Sequence, residues 1–270
     1  MTMPPSPNTM STVSAAATTT DHRRDAVWQA EALSNTYLDG VRGAIPLAAE
    51  QIDILVRLAR AARPEPRAIL DLGCGDGILG HALLDTYEAA RPTAVLVDFS
   101  PPMLDAARGR LRGYGHAHFI EVDYADPAWP HLVTVPPLPD RYDVIVSGFS
   151  IHHQPDDRKR RLYADVFALL APGGIFLNLE HVASPSRWAE EQFETYFIDA
   201  LHRYHAVRGK TRDEVAADFY HRPDKVANLL APVGIQCDWL REIGFVHVDC
   251  FFKVFELALF GGIRPLEETA

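Results

Sequence analysis

Apolar residues recur at helical spacing through residues 26–40 ("AVWQAEALSNTYLDG") and again through 47–62 ("LAAEQIDILVRLARAA"), where Pro64 and Pro66 end the second helix. From there short apolar runs alternate with helical segments. "AIL" at 68–70 reads as a strand that leads into three glycines and the helix "ILGHALLDTYEAA" (78–90). "AVLVDF" (94–99) is a strand, and the helix "PPMLDAARGRL" (101–111) follows it with Ser100 at the N-cap. "HFIEVDY" (118–124) and "DVIVSGF" (143–149) are the next strands. The helix "DDRKRRLYADVFALL" (156–170) ends at "APGG", whose glycines can supply a left-handed C-cap, and "IFLNLEHV" (175–182) is the fifth strand.

Strands that alternate with helices predict a doubly wound, Rossmann-like α/β sheet. Its ligands bind beyond the carboxyl ends of the strands, where the strand order reverses. The residues just after each strand are therefore the candidates for function. Residues 184–242 depart from the alternation: three helical segments, "SRWAEEQFETYFIDALHRYH", "TRDEVAADFYHRPDKVANLL" and "QCDWLREI", predict an insertion that roofs the cleft. The closing runs "FVHVDCFFKVF" and "ELALFGGI" lie too close together for a helical crossover, so they form a C-terminal antiparallel pair and bring the sheet to seven strands. Residues 1–25 hold Pro, Ser, Thr and Ala with no hydrophobic stretch and read as a disordered leader. The remainder, 26–270, reads as one domain: lid helices over 26–66, a core over 67–183, the roof over 184–242 and terminal strands over 243–263.

Composition narrows the partners. The chain of 270 residues carries a net charge of -10, and its one basic run, "RKRR" at 158–161, follows two acids. That balance disfavours a nucleic-acid surface but not a small nucleotide. Cys74, Cys237 and Cys250 are far apart and lack metal-type spacing, which suits a reducing, cytoplasmic setting. No apolar run approaches the roughly 20 residues of a membrane span. A small molecule is the expected partner.

The turn "DLGCGDG" (71–77) places glycines where a backbone can approach a ligand closely. Asp98 ends the second strand, the position at which a carboxylate accepts hydrogen bonds from ribose hydroxyls. Asp71, Asp76, Asp98 and Asp123 all fall at strand ends or in the loop, with no Lys or Arg among them. A pyrophosphate is a poor guest there. A ligand that combines ribose with positive charge fits better, and S-adenosylmethionine carries a sulfonium and an ammonium. Dinucleotide binding is the competing reading.

Residues 69–182 resemble the class I S-adenosylmethionine-dependent methyltransferases in the glycine loop, the acid after the second strand, and the segments "DFSPPML", "EVDYAD" and "LLAPGGIF". The resemblance implies that Asp71 and the backbone around Gly73 and Gly75 hold the methionine end of the cofactor. It implies that Asp98 holds the ribose, that Met103 packs near the adenine beside Phe99, and that Asp123 with the Tyr124 amide reads the adenine edge. Ser147, in the fourth strand, joins the same set. Tyr37 and Arg42 would belong to a lid, with Arg42 facing the methionine carboxylate; a surface turn around Gly40 and Gly43 is the alternative. The implied activity is methyl transfer to a small molecule, here expected in specialised metabolism. No metal is expected, because His152 with His153, His181, and His202 with His205 sit on separate elements, without Cys pairing or acid-rich ligand spacing.

Such a transfer requires alignment and exclusion of water, and a base only when the nucleophile carries a proton of high pKa. His152 and His153, after the fourth strand, are candidates for that base, although neighbouring side chains point different ways and one of the two is expected to be structural. In the roof, Tyr196 and Tyr220 could face the sulfonium and orient a nucleophile, or fill the core. Arg222 is a second candidate for an anionic group. The lid and roof also resemble those of carboxy-S-adenosylmethionine synthase, though the glycine loop and strand-four segment depart from it. An enzyme that converts S-adenosylmethionine itself, including by cyclisation to azetidine-2-carboxylate, is the alternative. A non-catalytic binding module is a third reading, which the set of acids argues against.

Overall fold

The computed structural model describes residues 24–31, 33, 42–206, 209–222, 225 and 227–267. Strands β1 (Ala68–Leu72), β2 (Thr93–Asp98), β3 (Ala117–Glu121), β4 (Tyr142–Gly148), β5 (Leu170–His181), β6 (Val246–Val254) and β7 (Leu257–Ile263) form one sheet in the order β3-β2-β1-β4-β5-β7-β6. The first five pair in parallel, and β7 runs antiparallel to both β5 and β6. The order reverses at the β1–β4 junction, where ligands of such sheets bind.

The central strands are continuous apolar runs because helices cover both faces. Alternation along each strand then sorts side chains between two layers. Ile69, Val144 and Val146 pack with Leu55 and Ala59 of α1 (Ala48–Ala62) and with Leu79 and Leu83 of α2 (Ile78–Thr86). Leu70, Leu72 and Ile145 face the other way, toward Leu162, Tyr163 and Val166 of α5 (Asp156–Leu169), beside Trp129 of the short α4 (Trp129–Leu132). Helix α3 (Pro101–Arg110) covers β2 through Leu104 and Ala107.

The insertion after β5 is smaller as a roof than its sequence suggests. Helices α6 (Arg187–His205) and α7 (Arg212–Tyr220) pack on each other and bury Phe193, Phe197, Leu201, Val215 and Phe219 together. A reciprocal Thr211–Glu214 capping box starts α7. The third segment, α8 (Val233–Ile243), packs instead on α5, β6 and β7, because its apolar face (Cys237, Leu240) joins the core beneath the sheet.

Other expectations are corrected locally. Ser100 occupies the N-cap of α3, but its side chain does not cap the helix. Helix α5 does not end on the glycines: Leu170 is already extended and pairs with Tyr142, so the chain passes directly into β5. The segment expected to form a lid starts with a 3-10 turn, Arg24–Gln29, and Asp25, assigned to the leader, is buried. The rest of the leader lies outside the described residues.

Candidate active site

Gly73 and Gly75 both adopt positive φ, +64° and +52°. A Cβ at Gly73 would lie 2.0 Å from the Ser150 hydroxyl, so this turn packs directly on the chain leaving β4. A Cβ at Gly75 would meet nothing within 4 Å. Asp98 ties the loop to β2: its Oδ2 accepts from the Gly75 amide at 2.8 Å and its Oδ1 from the Ser100 amide at 2.9 Å. Burial pushes the Asp98 carboxyl up to about 6, against the pull of the Gly75, Ser100 and Phe99 amides.

A cavity opens above this junction. The strand ends supply Gly73, Gly75, Asp98 and Phe99, α3 supplies Met103, and Phe193, Phe197 and Phe219 close it from the roof. Trp28 and Ile45 line it from the N-terminal segment. The Ser100 hydroxyl that fails to cap α3 donates instead to the Trp28 carbonyl at 2.7 Å, and Gln154 donates to Asp25 at 3.2 Å. These two bonds pin the Arg24–Gln29 turn against the cleft.

Among the acids expected to set the pocket's charge, Asp98 is the one that lines the cavity among the described residues. Asp71 is buried beneath the loop and accepts from the Gly80 amide at 2.8 Å; it borders a side recess that shares Gly73, Cys74 and Gly148 with the cavity. Asp76 pairs with the Arg110 guanidinium, so a cation does stand among these acids, outside the cavity. Asp123 closes a local turn by accepting from the Ala125 amide at 2.8 Å. Neither Tyr124 nor Ser147 lines the cavity. The Tyr124 hydroxyl braces Ser150, and the Ser147 hydroxyl donates to the Leu72 carbonyl at 2.7 Å, joining β4 to β1. Tyr37 and the side chain of Arg42 lie outside the described residues.

The two histidines after β4 both line the cavity, with ring centroids 4.0 Å apart, rather than diverging. They fall in a 3-10 turn, Ile151–His153, which keeps both rings on the cleft side. His152 Nδ1 lies 2.6 Å from Glu180 Oε1, and its backbone amide donates to Oε2 at 3.0 Å. Burial raises the Glu180 carboxyl to about 7. His153 Nδ1 lies 3.2 Å from the Ala227 carbonyl. His181, at the end of β5, also lines the cavity and bonds Glu256 at 2.7 Å. Among the described residues, no group of three or more His, Cys, Asp and Glu is arranged to hold a metal ion.

The roof tyrosines are elsewhere. Tyr196 stacks on Phe255, and Tyr220 is exposed with its hydroxyl 3.2 Å from Glu194. The aromatic faces over the cavity belong to the phenylalanines. Arg222 does line it, together with Lys225, whose ammonium sits 3.8 Å from the centre of the Phe219 ring.

The sequence and the fold are similar to those of known proteins. Residues 70–176 match the methyltransferase domain family. The chain is 24% identical over 245 residues to carboxy-S-adenosyl-L-methionine synthase of Desulforapulum autotrophicum, a match that covers 87% of this chain and 90% of that one. It is 32% identical over 126 residues to malonyl-[acyl-carrier protein] O-methyltransferase of Halalkalibacterium halodurans, covering 47% of this chain and 43% of that one. The fold is shared with an O-methyltransferase family protein from Burkholderia thailandensis, with a TM-score of 0.61 and 18% identity over 91% of this chain and 60% of that one. Residues 70–176 form a methyltransferase domain, and the chain has the fold of the class I S-adenosylmethionine-dependent methyltransferases.

This methyltransferase is thus an S-adenosylmethionine-dependent transferase. Its sequence concealed several of the residues around the cavity. Glu180 sits in "NLEHV", an acid at the end of an apolar strand, and the rule that function follows strand ends would have found it. Trp28 carries no local signal, because its place depends on a hydrogen bond from Ser100, far along the chain.

Proposed function

We propose that this methyltransferase passes the methyl group of S-adenosylmethionine to a small, largely apolar molecule held under the α6–α7 roof. The observation that carries this reading is the wall of Phe193, Phe197 and Phe219 facing a cavity in which, among the described residues, one carboxylate, Asp98, stands beside the glycine turn. Two observations support the donor: the buried carboxylate of Asp98 beside the glycine turn would suit a ribose, and a Cβ at Gly75 would meet nothing within 4 Å, so a ligand has room there. Asp98 would hold the ribose, Phe99 and Met103 would flank the adenine, and Asp71 would meet the ammonium end through the side recess. Asp123 and the Tyr124 amide would serve the adenine edge. When bound, the donor supplies a methyl group already activated by a sulfonium. The chain's own contribution is to hold the acceptor in line, exclude water and offer aromatic faces to positive charge. The acidic balance of the chain disfavours nucleic acid as acceptor. Three free thiols are consistent with a reducing, cytoplasmic setting, and specialised metabolism is the role proposed.

A second reading, conversion of the donor itself, is supported by the nearly full-length similarity to a carboxy-S-adenosyl-L-methionine synthase and by two cations, Arg222 and Lys225, in the cavity lining. Incubation of the purified protein with S-adenosylmethionine alone separates the two. The first reading expects no turnover until an acceptor is added, then S-adenosylhomocysteine. Methylthioadenosine without any acceptor would overturn it in favour of cyclisation.

A further inference from the structure

The two cavity histidines of the turn after β4 are held in different ways, and the difference assigns their roles. A carbonyl oxygen can only accept, so the contact between His153 Nδ1 and the Ala227 carbonyl at 3.2 Å requires the hydrogen on Nδ1. The other nitrogen, Nε2, then carries the lone pair of a neutral ring. His152 is instead anchored through both its ring and its backbone to Glu180. The His153 ring is wedged between His152 at 4.0 Å and Trp28 at 5.9 Å, and it lines the cavity with Phe193, Phe197 and Phe219.

Resting on the methyl-transfer reading, we propose that His153 meets the acceptor, offering Nε2 to the proton of a neutral hydroxyl borne by an apolar, ring-sized molecule. In the transfer, the hydroxyl oxygen forms a bond to the methyl carbon as the carbon–sulfur bond breaks. The electron pair of that bond stays on sulfur. The hydroxyl proton passes to Nε2, giving an imidazolium that later releases it to water. Burial and the neighbouring His152 lower the His153 pKa to about 3, against the pull of the Ala227 bond, Glu180 and Asp25, so the ring is neutral and ready to accept. Its weak basicity suffices, because an oxygen gaining a bond to carbon becomes positive and its proton correspondingly acidic. A carboxylate acceptor has no proton to offer and would leave His153 without a role; Arg222 and Lys225 in the lining are the groups that would favour it, and the choice of acceptor separates the two.

Two measurements test this. Nitrogen NMR of the histidine-labelled full chain without ligand, between pH 6 and 8, should show His153 with Nδ1 protonated and Nε2 bare; the opposite tautomer or a charged ring overturns the proposal. Simple phenols and benzyl alcohols incubated with S-adenosylmethionine should yield methyl ethers. His153→Ala should lower kcat at least about 100-fold. The lost bond to Ala227 and the lost ring packing should lower the melting temperature by a few degrees, while S-adenosylhomocysteine affinity should stay unchanged. His153→Gln, which can accept a hydrogen bond but not a proton, should preserve KM and lose kcat. Full turnover by His153→Ala, or methylation of carboxylates but of no hydroxyl compound, overturns the proposal. So does S-adenosylmethionine binding, seen by calorimetry, with no probe methylated. Absence of that binding overturns it at a deeper level, by sinking the methyl-donor reading on which it rests.

Discussion

Glu180 holds His152 at two points, its Oε1 2.6 Å from the ring Nδ1 and its Oε2 3.0 Å from the backbone nitrogen, and its Oε1 also accepts from the His181 amide at 2.8 Å. One buried carboxylate therefore fixes the end of β5 to the turn that carries His152 and His153. Glu180→Ala would leave these donors buried without their partner, at roughly 1–3 kcal/mol each. With about 3 kcal/mol lost, and each kcal/mol worth roughly 2–4 °C in a domain of this size, Tm should fall by about 6–12 °C. Thermal denaturation checks this, and a fall below about 2 °C would show that the carboxylate is dispensable to the turn.

The same carboxyl gives the protein a pH signature. Its folded-state value of about 7 is above the ordinary 4.5, so the folded protein holds this proton more firmly than the unfolded chain does. The stability this confers is complete below about pH 4.5 and is lost as pH rises through 7. Glu180→Gln, which cannot ionise, should therefore gain in Tm relative to the unsubstituted protein as pH is raised from 5 to 8. A constant difference between the two across that range would contradict the sign.

Asp98 should govern cofactor affinity. Its removal deletes charge-assisted hydrogen bonds worth roughly 1.5–3 kcal/mol each, so Asp98→Ala should weaken S-adenosylhomocysteine binding at least about tenfold. Because its carboxyl titrates near 6, affinity should also decline as pH falls below that value and the acceptor takes up a proton. Calorimetry from pH 5 to 8 checks both, and an Asp98→Asn protein should show a flat profile.

How far the sequence reveals this site depends on how local each signal is. The strand ends, the glycine turn and Asp98 are legible because apolar runs, glycines and acids lie within a few residues of one another. The order of strands follows from alternation. The roof is harder. Periodicity marks α6 and α7 as helices but leaves their rotation open, and the face that reaches the cavity carries Phe193 and Phe197, one turn apart, while Tyr196 is displaced around the helix toward Phe255. Long-range bonds such as Ser100 to Trp28 leave no trace in spacing at all.

That geometry makes Tyr196→Phe and Tyr220→Phe neutral for turnover, since neither hydroxyl reaches the cavity. Phe197→Ala should instead cost roughly 3–5 kcal/mol and enlarge the acceptor space. Steady-state kinetics with bulkier acceptors distinguishes the positions: a kcat loss in either tyrosine variant would place the acceptor outside the phenylalanine wall.

Trp28 offers an optical readout, because it is the tryptophan that lines the cavity among the described residues. S-adenosylhomocysteine should change the emission of the unsubstituted protein and leave that of Trp28→Phe unaltered. An equal change in both would remove Trp28 from the cofactor's surroundings.

Transfer of the donor's methyl to a separate small molecule is most directly tested with S-adenosylmethionine carrying a trideuteromethyl group, incubated with purified protein and a fractionated small-molecule extract. Mass spectrometry should show a single apolar compound gaining the intact labelled methyl, in equal amount to the S-adenosylhomocysteine formed. Label that stays on the donor-derived product, as methylthioadenosine or a carboxylated sulfonium, would contradict the account.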